Sequence, residues 1–506
     1  MSTQISRILL SFRRDPSEIF STDHLMSDLK SRSARGGLIT MASQGAKMAL
    51  QICSVAVLAR LLVPADFGLI AMVAVFTGFV ALFQDLGLSM ATVQRANITH
   101  EQVSTLFWIN VVLSLILAMI GAALSPVVAW FYGEPELVWI TIAVSSAFIF
   151  GGLGAQHVAL LRRQMRFKAI AVAEISGNCL GVAVAIVLAF LGARYWALVA
   201  MTAATVFGIS SLAFLMSGWI PGPPRRGSGV MPMIKYGGAL TGTNILTFIN
   251  RQFDNFMIGA FWGAGALGLY AKAYGLLYQP IKQINRPLSS VAVTALSRLQ
   301  DDPPRFRNYF RKGNQGLMFV GMPIVGACFV ATESIIAVML GNQWGDAVPI
   351  FRYLAPAALI GTTYTATTWA YLALGQTGRQ LKWRVLDCIV TVTAIAIGVQ
   401  YGAAGVALGF SIAVTLLRPF EIWYCYKTTP LTLMDFVSAA WIPFTATMTC
   451  VLSMMFLWQG DAWIAQPFLR MAAEMSLFAA IYLAVVCVLP GGRQVFASVK
   501  AIKRSG

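Results

Sequence analysis

Runs of about twenty apolar residues recur along this chain, and the short polar stretches joining them alternate in charge. Every second stretch carries Lys or Arg. These are the N-terminal tail (Arg7, Arg13, Arg14, Lys30, Arg32, Arg35), Arg95, the loop from Arg162 to Lys168, Arg225 with Arg226 and Lys235, the loop from Arg298 to Lys312, the loop from Arg379 to Arg384, Lys427, and the tail with Arg493, Lys500, Lys503 and Arg504. The intervening stretches hold mainly Arg60, Asp66, Glu134, Glu136, Arg194, Asp346 and Asp461. Moving a short cationic loop across a membrane is unfavourable, so the cationic side is the cytoplasmic side. The pattern therefore predicts an all-α polytopic membrane protein of about fourteen transmembrane helices, with both termini in the cytoplasm.

Composition leads to the same class. A chain of 506 residues with 58% hydrophobic and only 11% charged residues cannot clothe a soluble domain. The net charge of +17 would suggest nucleic acid in a soluble protein. Here the excess sits in loops and tails, where positive-inside bias and anionic membrane lipids account for it, and no basic stretch is interleaved with aromatics for base stacking. The seven cysteines all fall in apolar segments and form no C-x-x-C pair, so they read as small buried hydrophobes. Residues 1–36 are polar and mixed in charge and read as a cytoplasmic tail, not a signal peptide.

The expected spans are 38–62, 66–88, 105–131, 137–158, 168–191, 195–219, 236–261, 265–288, 314–340, 348–374, 381–401, 403–424, 434–458 and 468–489. Trp130, Trp139, Trp196, Trp219, Trp262, Trp344 and Trp463 fall near their ends, where indole favours the membrane interface. An internal repeat organises the spans. Residues 65–71 (ADFGLIA) align with 265–271 (GALGLYA), Gly37 with Gly237, Tyr132-Gly133 with Leu340-Gly341, and the basic loop at 162–168 with that at 379–384. Six spans thus repeat in the same orientation, which is the parallel-repeat plan of secondary transporters. The expected organisation is a tail (1–36), an N-lobe (37–220), a Pro/Gly-rich cytoplasmic linker (221–235), a C-lobe (236–430), two further helices (431–490) and a C-terminal tail (491–506).

A charge inside a span is costly and marks a functional candidate. Lys47 falls near the middle of the first span, Arg251 and Asp254 in the outer half of the seventh, and Lys272 at similar depth in the eighth. Arg251 and Asp254 are three apart and share a helix face, while Gln51, Asn244 and Asn255 add hydrogen-bonding groups. Cations there outnumber carboxylates, so Lys47, Arg251 and Lys272 are expected to form a hydrated cationic site for an anionic ligand. Glu174 and Asp387 occupy matching places after the two basic loops, close to the cytoplasmic side. Asp85, Arg418 and Glu421 read as interfacial, Glu333 with Arg352 as an outer salt bridge, and His24, His100 and His157 as scattered. Catalytic motifs and cofactor fingerprints are absent from the sequence, and the outward loops are too short to hold an acceptor, so an integral-membrane polysaccharide-assembly enzyme is the weaker alternative.

Several stretches resemble a known family. ARLLVPADFGLIAM from Ala59, FQDLGLSMATVQR from Phe83, FWIN from Phe107 and WFYGEPEL from Trp130 are similar to bacterial polysaccharide transporters of the Wzx type, within the multidrug/oligosaccharidyl-lipid/polysaccharide exporter superfamily. The resemblance implies two six-helix lobes and a flippase for undecaprenyl-diphosphate-linked oligosaccharide repeat units in the bacterial inner membrane, working by alternating access driven by an ion gradient. Asp254, with Glu174 and Asp387, is then the candidate ion-coupling set. A polysaccharide polymerase and a chain-length regulator would be partners. A drug exporter of the same superfamily is the alternative, but such carriers favour acidic cavities.

Overall fold

Within lipid every backbone amide must bond inside its own segment, which leaves helices as the structure open to apolar runs of this length. In a computed structural model, which describes residue 20 and residues 29–85, 87–95, 98–225, 231–457, 466–490 and 492, with the side chains at 29–34, 231–247, 250, 284, 286, 287, 290 and 457 left out of the description, this is what the chain forms. The helices are α1 Leu29–Leu61, α2 Pro64–Ala81, the short α3 Leu88–Gln94, α4 His100–Tyr132, α5 Leu137–Arg163, α6 Phe167–Phe190, α7 Trp196–Ser217, α8 Met231–Ser297, α9 Pro303–Val330, the short α10 Thr332–Met339, α11 Ala347–Ala373, α12 Thr377–Gly398, α13 Gly402–Tyr426, α14 Leu433–Leu457 and α15 Pro467–Val488. No strand occurs among the described residues. Nine segments among them are long and apolar enough to cross a membrane by length and composition. The expected seventh and eighth spans both lie in α8, which breaks at Gly263 (φ 75°), a conformation that costs glycine nothing.

The helices wear their apolar side outward. On α4 the exposed positions include Val112, Leu115, Ile116, Met119, Ile120 and Val127, whereas Ser104, Asn110, Ser114 and Ser125 are buried. A water-soluble helix reverses this arrangement, so the outer surface is built for lipid. With lipid outside, close helix packing depends on small side chains. On α6 every buried position is Ala or Gly, namely Ala169, Ala173, Gly177, Gly181, Ala185 and Ala189. This stripe lets α7 approach so closely that a Cβ on Gly181 would lie 2.7 Å from the Met201 carbonyl oxygen.

Two compact units divide the chain, residues 1–265 and 266–506. In the first, α4 packs on α5, α7 on α5 and α6, and α1 on α6. In the second, α13 packs on α11 and α12, and α9 on α11. The last two helices join the second unit, α14 lying along α9 and α15 against α10 and α14.

Two of the tryptophans expected at the interface are buried instead. Trp219 and Trp344 are 3% and 0% exposed, while Trp130, Trp139, Trp196 and Trp262 are exposed and Trp463 lies outside the described residues. Trp219 can be buried because His100 Nδ1 accepts its indole N–H at 3.0 Å. The cysteines also divide: Cys425 and Cys450 are buried, but Cys53, Cys179 and Cys487 lie on the apolar outer surface.

Candidate functional site

The first unit joins Lys47 of α1 to Glu174 of α6 in a salt bridge whose side chains are about a quarter exposed (21% and 26%). This corrects the expectation that Lys47 lacks a carboxylate partner. The two residues are far apart in sequence, but α1 lies against α6 and brings them together. Asn178, one turn beyond Glu174, donates to the Glu174 carbonyl at 2.7 Å. Gln51, one turn beyond Lys47, is exposed.

Asp254 of α8 is buried at 6% exposure, whereas Arg251 on the same helix is exposed, so these two do not share an environment. Asp254 Oδ1 accepts the Asn255 amide at 2.8 Å, and Asn255 Nδ2 donates to Gln252 Oε1 at 2.7 Å. The side chain of Asn244 lies outside the described residues. Lys272 belongs to the second unit, past the Gly263 break, and is partly buried. Its helix also carries Tyr270, Tyr274 and Tyr278. The Tyr274 and Tyr278 rings stack at 4.3 Å, and Lys282 Nζ sits 5.2 Å from the Tyr274 centroid. The four-residue spacing of these tyrosines was present in the sequence and was not singled out there.

A well-enclosed ion pair falls where the sequence suggests interfacial residues. Arg418 and Glu421 of α13 are 7% and 4% exposed and form a salt bridge. Thr367 of α11 donates to Glu421 at 3.0 Å. The Arg418 guanidinium lies 4.7 Å from the Tyr364 ring centroid, and Arg384 of α12 lies 4.2 Å from that same centroid. Arg384 also pairs with Asp387 at 3.7 Å. The available signal was the i,i+3 Arg–Glu spacing in an otherwise apolar helix. What the sequence does not show is the shielding, which comes from α11 and α12 packed against α13.

Two arginines act as matching locks. Arg166, just after α5, donates Nη1 to the Met216 carbonyl at the end of α7 at 2.6 Å. Arg379, in the first turn of α12, donates Nη2 to the Tyr424 carbonyl near the end of α13, also at 2.6 Å. Arg166 directly follows the left-handed Met165 (φ 52°), and Arg379 lies four residues past the left-handed Gly375 (φ 67°). At the other end of the second unit, Arg352 pairs with Glu333 at 2.9 Å as expected, and Arg470 of α15 bridges Glu333 (3.5 Å) and Glu474 (3.0 Å). The histidines are not all scattered: His100 and His157 lie 5.9 and 5.2 Å from the Trp219 ring, and Ser217 bonds His157 Nδ1 at 2.9 Å.

A lipid-facing helical protein with ion pairs and amides held between its helices has the build of a polytopic transporter. The fold is similar to that of the lipid II flippase MurJ in an inward closed conformation, covering 89% of this chain and 98% of that one at a TM-score of 0.71 and 14% identity. It is also similar to an inward-facing multidrug resistance MATE family transporter of the MOP superfamily, covering 75% of this chain and 95% of that one at a TM-score of 0.56 and 16% identity.

Residues 57–349 match the polysaccharide biosynthesis protein family, and the chain belongs to that family. It is similar to the lipopolysaccharide biosynthesis protein WzxC of Escherichia coli (25% identical over 405 residues, 78% of this chain and 81% of that one). It is likewise similar to the succinoglycan biosynthesis transport protein ExoT of Rhizobium meliloti (25% identical over 443 residues, 86% and 89%). The protein is thus a multi-pass membrane transporter of the polysaccharide-export class and not an enzyme.

Proposed function

We propose that the protein flips undecaprenyl-diphosphate-linked oligosaccharide repeat units from the cytoplasmic to the periplasmic leaflet of the bacterial inner membrane. The carrying observation is that a chain of the polysaccharide biosynthesis family has a fold similar to that of a lipid II flippase over most of its length. Alternating access of an N-lobe (37–220) and a C-lobe (236–430), coupled to an ion gradient, is the mode of action we favour, with both termini cytoplasmic.

Arg251 and Lys272 are the proposed diphosphate contacts, since a diphosphate leaving water needs compensating positive charge. Tyr274 and Tyr278 offer ring faces to sugar C–H groups. Lys47 has a conditional role. While Glu174 is ionised, Lys47 is neutralised by it. A proton on Glu174 would release Lys47 to an incoming phosphate, which ties substrate binding to proton binding. Asp254 and Asp387 are the other proposed coupling carboxylates. A polysaccharide polymerase and a chain-length regulator are the partners such a pathway requires.

The test uses proteoliposomes carrying a fluorescent polyisoprenyl-diphosphate glycan. Purified protein should move the fluorophore out of reach of a membrane-impermeant quencher, faster with an imposed proton gradient, without forming a new glycosidic bond by mass spectrometry. Equal rates in protein-free vesicles, or a new glycosidic bond, would overturn the proposal.

A further inference from the structure

The first unit holds a cavity of about 420 Å³, set apart from every residue assigned above to substrate or ion. It opens between the start of α1, the turn from α5 to α6 and the end of α7. Arg35, Arg166 and Lys168 line it together with Ile39, Val172 and Met216, and no carboxylate is among the described lining residues. We propose that it binds the phosphodiester headgroup of an anionic phospholipid from the leaflet it faces. The proposal requires only that the protein sits in a membrane, and does not depend on what it transports.

The cavity is built into the packing of the unit. Gly36 brings α1 so close to Phe167 that a Cβ there would lie 2.3 Å from the ring, which closes the floor. The left-handed Met165 turns the chain so that Arg166 is held on the Met216 carbonyl, which sets the height of the cationic rim. Deeper between the same two helices, α1 and α6, Lys47 is balanced by Glu174. At the cavity level the exposed cations are Arg35 and Lys168, so a phosphate can meet them without a large desolvation cost. Val172 presents exposed apolar surface beside them, where the first carbons of an acyl chain can lie. Exposed cations beside exposed aliphatic surface complement a phospholipid and not a free anion.

Native mass spectrometry of the full-length protein in detergent, offered equal phosphatidylglycerol and phosphatidylcholine, tests this. Retention of phosphatidylglycerol should exceed that of phosphatidylcholine by roughly tenfold or more, as expected for two or three cations near a phosphate. Arg35→Gln with Lys168→Gln should abolish the preference without changing the melting temperature. Arg162→Gln, in the same loop but outside the lining, should keep it. Equal retention of both lipids, full retention by the double variant, or loss of preference in Arg162→Gln would each overturn the proposal. So would displacement of phosphatidylglycerol by millimolar inorganic phosphate, or by polyisoprenyl diphosphate at equal concentration; these arms separate a phospholipid from a free anion and from the transported lipid.

Discussion

Each unit holds a cation–carboxylate pair among its helices, and the two pairs are built differently. Lys47 and Glu174 come from separate helices and remain about a quarter exposed. Arg418 and Glu421 lie three residues apart on one helix, nearly sealed, with Tyr364, Thr367 and Arg384 layered against them. A hydrated pair joining two helices can be opened by a proton or a competing anion at small cost. A sealed pair within one helix opens only at the expense of leaving a charge buried. The first arrangement suits a site that changes state, and the second suits a fixed frame.

The strongest way to break this contrast is to remove one partner of the sealed pair. Glu421→Ala should destabilise the protein by about 3–5 kcal/mol, because Arg418 is left buried and unpaired. Thermal unfolding in detergent would show it as a large fall in melting temperature, and Arg418→Met with Glu421→Leu should recover most of the loss. A Glu421→Ala protein as stable as the parent would mean that the frame is not held there.

The arginine locks come next in size. Arg166→Met and Arg379→Met each lose a charge-assisted bond to a helix-end carbonyl, about 1.5–3 kcal/mol. The two losses should be similar, with Arg379 the larger because its guanidinium also stacks 4.0 Å from the Tyr424 centroid. A large effect in one unit and none in the other would show that the matching geometry does not carry matching weight.

The smallest stability effect belongs to Lys47 and Glu174, for which Lys47→Met should cost only about 1 kcal/mol. Its effect on glycan translocation in proteoliposomes should be far larger than that shift suggests. The exchange Lys47→Glu with Glu174→Lys should keep the melting temperature and lose gradient dependence. Normal gradient-driven transport by the exchanged protein would reduce the pair to a packing contact.

Much of the fold could be read before any coordinates. Apolar length and loop charge identified the membrane class, and positions such as Gly133 and Gly263 marked helix breaks that the structure shows in left-handed conformations. The candidate site was legible only in pieces. Lys47 reads as a buried charge and Glu174 as one close to the cytoplasmic side, on helices far apart in sequence, so their pairing was invisible. Arg418 and Glu421 read as interfacial from their distance to a helix end, which does not show the neighbours that shield them. Trp219 and Trp344 do fall near helix ends, but their burial against protein was not legible.

What the sequence determined by itself is one-dimensional chemistry: which segments are apolar enough for lipid, where cations gather between them, and where glycine or proline ends a helix. These follow from transfer and backbone preferences that act residue by residue. Only the tertiary structure decided which charges are balanced and which are shielded. That depends on which helices touch, and contact in this protein is governed by small-residue stripes such as that of α6, whose partner no local property specifies.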